Sequence, residues 1–325
     1  MQRMEAMSTE ETIATLDEIA ALDLPAESRD NLARVLLACI ARKDPGLALD
    51  LIDRRIGMES YRFGDLISET LQTWAKKDPA AAGAWFDQQI ASGKFKGRSL
   101  DGVSGFRQMN ESALISILLG NSQEGAARRL AALPEDQRGD VLSMYDLTNV
   151  PEENQVALAA LIRAQVPEKD QAETIASQVP NLIKHGDYSA ATGYLDRIAA
   201  TSAERAASAM KAIQDMNPKS PDTNKLSRDD FDALREWVGT QAPASVDMVT
   251  AAALAKAALG DHKMPFAAAA ELAVDYSAES GNDEVLATFL TSGAARRNKA
   301  AALVLAGKIS DETRRGQIQT FLILK

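Results

Sequence analysis

Two segments of the chain repeat the same pattern 34 positions apart. Ala41-Arg42-Lys43-Asp44-Pro45 opens the first segment and Ala75-Lys76-Lys77-Asp78-Pro79 opens the second. Both continue at the same offset with alanine (Ala48, Ala82), aspartate (Asp53, Asp87) and isoleucine (Ile56, Ile90). A fixed period of this length is typical of stacked helical hairpins. The repeat therefore predicts an all-α fold, an α-solenoid in which each antiparallel hairpin packs on its neighbours.

The Asp-Pro pairs predict where helices begin. An aspartate before the first turn accepts a hydrogen bond from an amide that has no partner inside the helix. Proline suits the next position because it has no amide to satisfy and its φ is already helical. We therefore expect helices to begin at Pro45 and Pro79, with one buried face that carries Ala48 and Ile52, or Ala82 and Phe86. Two weaker copies are expected at Pro265 (with Ala268 and Leu272) and at Asp187 (with Ala191 and Leu195).

Composition supports the same fold class. The chain is 46% hydrophobic but only 5% aromatic, and no β-branched run alternates with the period of a strand. Residues 217–227, with Pro218 and Pro221, form the longest breaker-rich stretch, which is either a hinge or a long loop. We expect an N-terminal helical array over 1–216 and its continuation over 228–325, together one continuous solenoid. Pro180 should interrupt the helix predicted over 168–184.

Tryptophans around one Asp-Pro pair carry a family resemblance. Asp78-Pro79 followed by Trp85 resembles a tetratricopeptide junction, and Gly186-Asp187-Tyr188 resembles the start of that repeat's second helix. Trp74, Asp78, Pro79 and Trp85 together are similar to bacterial tetratricopeptide-like or HEAT-like repeats of a Trp…Asp-Pro…Trp type. Gln88 and Gln89 depart from the tetratricopeptide pattern. The resemblance implies a binding or scaffolding solenoid, and it does not itself imply any activity.

Residues suited to catalysis or metal binding are few. His185 and His262 lie at expected helix ends, where a cation favours the helix dipole. Cys39 is the single cysteine and is expected to be a buried structural thiol. No metal-ligand spacing, phosphate-binding glycine motif or nucleophile motif occurs. We therefore expect no catalytic residue, cofactor or metal. The alternative is an α-superhelical hydrolase or lyase that uses carboxylates in a groove.

The charge pattern favours a protein or peptide partner over a nucleic acid. The net charge is −10, which disfavours a phosphate backbone. The segment Lys94-Phe95-Lys96-Gly97-Arg98 is basic and aromatic, as in proteins that bind nucleic acid. However, Phe95 lies 34 positions after Tyr61 and so occupies the same position of the repeat. An aromatic residue that recurs at one repeat position is better explained by packing between hairpins. Paired arginines near helix ends are either solvated charges or the wall of a groove for acidic peptides. These candidate partner-binding residues are Arg54, Arg55, Arg128, Arg129, Arg296 and Arg297.

The two ends of the chain bear on the cellular compartment and on self-association. No apolar run approaches the roughly 20 residues of a membrane span, and Met1–Met7 shows no signal peptide. The compartment stays open: cytoplasmic by default, periplasmic or secreted if residues precede this start. The last turn is apolar, at Phe321, Leu322, Ile323 and Leu324. It either folds back on the preceding helix or joins a second copy, with Phe321, Leu322 and Leu324 in a homodimer contact.

Overall fold

A computed structural model describes residues 7–55, 63–95, 104–145, 147, 150–214, 216, 218, 225–259 and 264–324. Nineteen α-helices occupy these residues, and no β-strand occurs among them. An isolated antiparallel bridge joins Lys184 to Asp187. The predicted all-α class is confirmed.

The helices are short, and two 3₁₀ turns interrupt the second half of the chain, at Pro180–Leu182 and Pro243–Ser245. The α-helices are α1 (Thr9–Ala21), α2 (Ala26–Lys43), α3 (Pro45–Arg55), α4 (Gly64–Lys77), α5 (Pro79–Ala91), α6 (Gly105–Asn121), α7 (Gln123–Ala131), α8 (Glu135–Ser143), α9 (Glu152–Gln165), α10 (Glu168–Ala176), α11 (Ser189–Arg197), α12 (Ser202–Ala212), α13 (Arg228–Gln241), α14 (Val246–Leu259), α15 (Phe266–Ser280), α16 (Glu284–Leu290), α17 (Gly293–Arg297), α18 (Lys299–Ala306) and α19 (Glu312–Ile323).

The two full Asp-Pro repeats begin helices as predicted. Oδ1 of Asp44 accepts a hydrogen bond from the amide of Leu47 at 2.9 Å, and Oδ1 of Asp78 accepts one from the amide of Ala81 at 3.0 Å. The following proline is the first residue of α3 and of α5. The predicted inner faces are also confirmed, because Ala48, Ile52, Ala82 and Phe86 are all fully buried.

The two weaker copies differ from the full repeats in how the helix starts. Pro265 is itself the cap residue, so α15 begins one position later than predicted. Its buried alanines are accordingly Ala269, Ala270 and Ala273, while Ala268 and Leu272 are half-buried. A one-residue delay rotates the helix by about 100°, which is enough to replace one buried row with the next.

Asp187 starts a turn before the helix proper. Its carboxylate accepts a hydrogen bond from the amide of Ser189 at 2.9 Å, and α11 begins at that serine. Ala191 and Leu195 are nevertheless fully buried. The burial predicted from the repeat is therefore confirmed at this copy.

Two tryptophans pack where one Asp-Pro repeat meets the next. The rings of Trp74 and Trp85 lie 6.4 Å apart, and Nε1 of Trp85 donates to Oδ1 of Asp50 at 3.0 Å. A Cβ at Gly46 would lie 3.1 Å from Cη2 of Trp74. The glycine at the start of α3 therefore leaves room for Trp74 to approach.

The chain divides into two compact units, Met1–Tyr145 and Asp146–Lys325. In the first unit, α2, α4, α6 and α8 contact one another in succession, and α3, α5 and α7 each contact the helices before and after them. In the second unit the extensive contacts join helices one or two places apart, except for α14 with α17 and α16 with α19. Within each unit, helices therefore pack mainly on their near neighbours in the chain.

Pro180 breaks the helix predicted over 168–184. The helix α10 ends at Ala176, and Pro180 opens a 3₁₀ turn instead of continuing it. Most of the breaker-rich stretch at 217–227 lies outside the described residues, so the hinge there stays a prediction.

Candidate functional site

A groove of about 470 Å³ lies between α2 and α4 in the first unit. Its volume falls in the range of small-molecule and peptide pockets, roughly 300–1,000 Å³. The helix α2 lines it with Arg34, Val35, Ala38, Cys39, Ala41 and Arg42, and α4 lines it with Asp65, Leu66, Glu69, Thr70 and Thr73.

The apolar side of the groove comes from a stripe on α2 that faces solvent. Val35 is 42% exposed, and Leu32, one turn before it, is 38% exposed. Leu36 and Ile40 point the other way, into the core. Helical periodicity alone would put all four on one face. In the structure Leu36 and Ile40 face the core, Val35 lines the groove, and Leu32 is exposed without lining it. The apolar side chains of this 18-residue helix spread over more than half of its circumference. Some of them can therefore pack in the core while others face the groove.

The groove has one basic wall and one acidic wall. On α2, the guanidinium carbon of Arg34 lies 5.6 Å from the centroid of the Phe63 ring, which fixes the side chain beside the groove. Across from it, Asp65 and Glu69 lie one turn apart on α4, and both are exposed. Such walls favour a ligand that carries both signs of charge on opposite sides.

Cys39 is buried, as predicted, with 6% of its surface exposed. Its Sγ accepts a hydrogen bond from Nη2 of Arg42 at 3.3 Å. The thiol therefore contributes to the wall of the groove and positions one of its arginines.

The arginines predicted to bind a partner are not brought together. In the first unit, Arg55 pairs with Asp17 at 2.6 Å, Arg128 with Glu124 at 2.7 Å, and Nε of Arg54 donates to a backbone oxygen of its own helix. In the second unit, the guanidinium of Arg296 lies 3.9 Å from the Phe321 ring, and Arg297 is exposed at the end of α17. None of these five lines the groove; Arg34 and Arg42, which line it, were not predicted.

Arg129, the sixth candidate, takes part in a largely buried ion-pair network. Its Nε donates to Oε2 of Glu111 at 2.7 Å, and its Nη2 donates to Oδ1 of Asp87 at 3.0 Å. Burial raises the pKa of Glu111, and the nearby Arg129 opposes that shift without cancelling it. This arginine stabilises a buried carboxylate, so it is not available to a partner.

A similar pair in the second unit has the opposite pKa shift. Nη2 of Arg163 donates to Oε2 of Glu204 at 2.7 Å. Burial raises the pKa of Glu204, but hydrogen bonds from Arg163 and from Thr201 outweigh it, and the pKa is lowered overall. Glu204 also accepts from the backbone amide of Thr201, completing a capping box at the start of α12.

The aromatic residue of the basic segment packs inside the protein. Phe95 is 4% exposed, and its ring lies 5.3 Å from that of Phe86 and 5.4 Å from that of Phe106. Lys94 pairs with Asp53. Packing therefore explains Phe95, as the repeat phase predicted; residues 96–98 lie outside the described part of the chain.

The apolar C-terminal turn faces two ways. Leu322 is 2% exposed and packs inside, whereas Ile323 is 57% and Leu324 is 66% exposed. Phe321 lies half-buried beneath Arg296. Leu322 thus contributes to the fold of the last helices, and only Leu324 of the three proposed contact residues is well exposed.

The described part of the chain contains one of the two histidines and no candidate metal site. His185 has a positive φ of 50° in the turn between Lys184 and Asp187, and His262 lies outside the described residues. Among the residues that are described, no group of three His, Cys, Asp or Glu side chains is placed to hold a metal ion. None of the described helices is long and apolar enough to cross a bilayer.

Comparison with known proteins does not assign a function to this groove. No family model, no curated protein and no solved structure matches the chain.

Proposed function

We propose that this protein is a non-enzymatic helical-repeat scaffold, an α-solenoid whose groove between α2 and α4 binds an amphipathic helix of a protein partner. The observation that carries the proposal is the groove itself: about 470 Å³, with a solvent-exposed apolar stripe and charged walls of opposite sign. An amphipathic helix bound in a groove is a recurring mode of protein recognition.

The walls specify the chemistry of the partner helix. Val35 and Leu66 line the groove and would contact its apolar stripe, spaced at every third or fourth residue. Arg34 favours acidic side chains on one flank of that stripe, and Asp65 and Glu69 favour basic side chains on the other. A partner helix with acidic residues on one flank and basic residues on the other matches both walls in only one direction along the groove. The walls therefore also set its orientation.

The hairpin contacts support the solenoid part of the proposal. Near-neighbour helix pairs account for most of the packing within each unit, and tryptophan side chains form polar contacts with earlier helices. Trp85 bonds to Asp50, 35 residues earlier, and Trp237 donates to Oγ1 of Thr192, 45 residues earlier, at 3.0 Å. Contacts of this kind lock each hairpin onto the one before it.

The enzymatic alternative has less support in the groove. Asp65 and Glu69 lie on one exposed helix face instead of converging from opposite walls. A paired-carboxylate hydrolase needs two carboxyl groups on either side of the substrate. Glu111 is buried, but it is bound to Arg129.

A selection from a display library of helical peptides tests the proposal. Peptides enriched on the full chain should carry an apolar stripe with acidic residues on one flank and basic residues on the other. Val35→Glu and Glu69→Arg should each weaken their binding at least tenfold, because each reverses the character of one wall. Val304→Glu is the matched control, since Val304 is 76% exposed and lies outside the groove. Binding that survives both groove variants, or repeated selections without enrichment, would overturn the proposal.

A further inference from the structure

A second, smaller pocket of about 170 Å³ lies in the first unit, where α5 ends and α6 begins. An engineered apolar cavity of about 150 Å³ holds one benzene molecule, so this pocket suits a ligand of similar size. Residues 96–103 lie outside the described part of the chain. The described lining is Ile90, Lys94, Phe95, Ser104, Arg107, Gln108, Glu111, Leu133, Gln137 and Val141.

The first turn of α6 supplies the polar end of the pocket. Ser104 caps this helix of 17 residues, its Oγ accepting from the amide of Arg107 at 3.3 Å. The N-terminal end of a helix favours negative charge. Ser104, Arg107 and Gln108 therefore place an anion-favouring helix end at the pocket.

An unpartnered amide points to a ligand at the same place. Gln108 is only 9% exposed, and within the described structure its side-chain amide makes no hydrogen bond. Because neither of its amide atoms is sealed off from solvent and the residue lines the pocket, the amide opens into the pocket. This amide is therefore free to donate a hydrogen bond to a ligand that enters the pocket.

The charges around the pocket leave one cation unmatched. Lys94 pairs with Asp53, and Glu111 pairs with Arg129. Arg107 forms no ion pair among the described residues, although its charge acts on Glu111. With no ion pair to Arg107 among the described residues, its guanidinium favours a ligand with a single negative charge, and the Glu111 carboxylate disfavours a second one.

The remaining walls are apolar. Phe95, Leu133 and Val141 are buried and line the side of the pocket with Ile90. A ligand that fills it needs a short hydrocarbon portion as well as its charge. The size of the pocket limits that portion to about three to five carbons.

We propose that this pocket binds a small monocarboxylate, with its carboxylate on Arg107 and Gln108 and its hydrocarbon chain against Phe95, Leu133 and Val141. The carboxylate has two possible sources: a free short-chain acid, or the C-terminal residue of a peptide. This proposal is independent of the helix-binding groove.

Titration calorimetry of the full chain with butyrate tests the proposal, with butanamide and inorganic phosphate as ligands of matched size or charge type. We expect saturable binding of butyrate at least tenfold tighter than that of either control ligand. Arg107→Gln should weaken it at least tenfold, and Arg54→Gln, which changes an arginine outside the pocket, should leave it unchanged. A hexapeptide ending in valine, compared with its C-terminal amide, distinguishes the two sources: tighter binding of the free-acid peptide than of butyrate assigns the site to peptide ends.

Two results would overturn the proposal without relying on a variant that folds. One is no saturable binding of either butyrate or the free-acid peptide. The other is phosphate or butanamide bound as tightly as butyrate, because then neither the single charge nor the carboxylate would be what the pocket recognises.

Discussion

At the scale of single residues, two glutamate–arginine pairs show how surroundings decide the cost of a buried charge. Glu111 has one close cationic partner, Arg129, and its pKa stays raised by burial. Glu204 has Arg163 and the cap of α12 as well, and its pKa is lowered. Burial and the nearby Asp87 keep the pKa of Glu111 raised, whereas the additional hydrogen bonds to Glu204 lower its pKa.

The two shifts predict opposite responses of stability to pH. A raised folded pKa means that the contribution of Glu111 is present below its ordinary value of 4.5 and is lost as the pH rises through the folded pKa. A lowered folded pKa means that the contribution of Glu204 is present above 4.5 and is lost as the pH falls through the folded pKa. Relative to wild type, Glu111→Gln should therefore gain stability as the pH rises above 4.5, and Glu204→Gln should gain as it falls below 4.5.

Urea unfolding of both variants and the wild type between pH 3.5 and 7 measures this difference. Each variant serves as the other's control, because both remove one carboxylate from an arginine. Two differences in unfolding free energy that change in the same direction over the same pH range would contradict the assignment.

At the scale of single elements, the Asp-Pro repeats act by starting helices at a fixed phase. Asp44 and Asp78 cap α3 and α5 with nearly identical geometry. Pro265 lacks such an aspartate cap, and its helix starts one residue later with a different buried row. The aspartate, and not the proline alone, therefore sets which alanines face the core.

Removing the Asp78 cap should destabilise the protein by a predictable amount. Asp78→Ala leaves the amide of Ala81 without its partner, and we expect a loss of about 1 kcal/mol of unfolding free energy. Asp78→Asn keeps an oxygen acceptor at the cap and should lose less than half as much. Urea unfolding at pH 7 measures both, and equal losses for the two variants would show that charge, not the cap hydrogen bond, is what matters.

At the scale of the whole molecule, the first unit has a core of its own. A hydrophobic cluster runs from Leu16 to Leu114, including Phe63, Phe86 and Phe95, entirely within Met1–Tyr145. Local packing of this kind depends on neighbouring helices and not on distant parts of the chain.

A fragment of residues 1–145 should therefore fold alone. We expect a helical circular dichroism spectrum and a single cooperative urea transition, because the fragment keeps every member of the cluster. A fragment that ends at Ala91 is the control: it lacks Phe95, Leu114 and α6, so apolar side chains of α4 and α5 lose their cover, and its transition should be broad. A fragment of residues 1–145 without a cooperative transition would contradict the independence of this unit.

The candidate sites were only partly predictable from the sequence. Helical periodicity groups Leu32, Val35, Leu36 and Ile40 together, but it cannot tell which of them a neighbouring helix covers. The arginine pairs were visible as charges, yet the carboxylates that neutralise Arg55, Arg128 and Arg129 come from other turns or other helices. No sequence pattern pointed to Gln108, because an amide without a hydrogen-bond partner is recognised only once its surroundings are known.

The sequence by itself determined the helical class, the starts of α3 and α5, and the burial of Ala48, Ile52, Ala82 and Phe86. These follow from local chemistry: a cap, a proline and a periodic apolar face lie within a few residues of one another. Only the tertiary structure decided which side of α2 stays open, which charges are paired and where Gln108 is left without a partner. Those properties depend on contacts between residues 18 to 47 positions apart in the chain, and no local pattern encodes the distance between two such side chains.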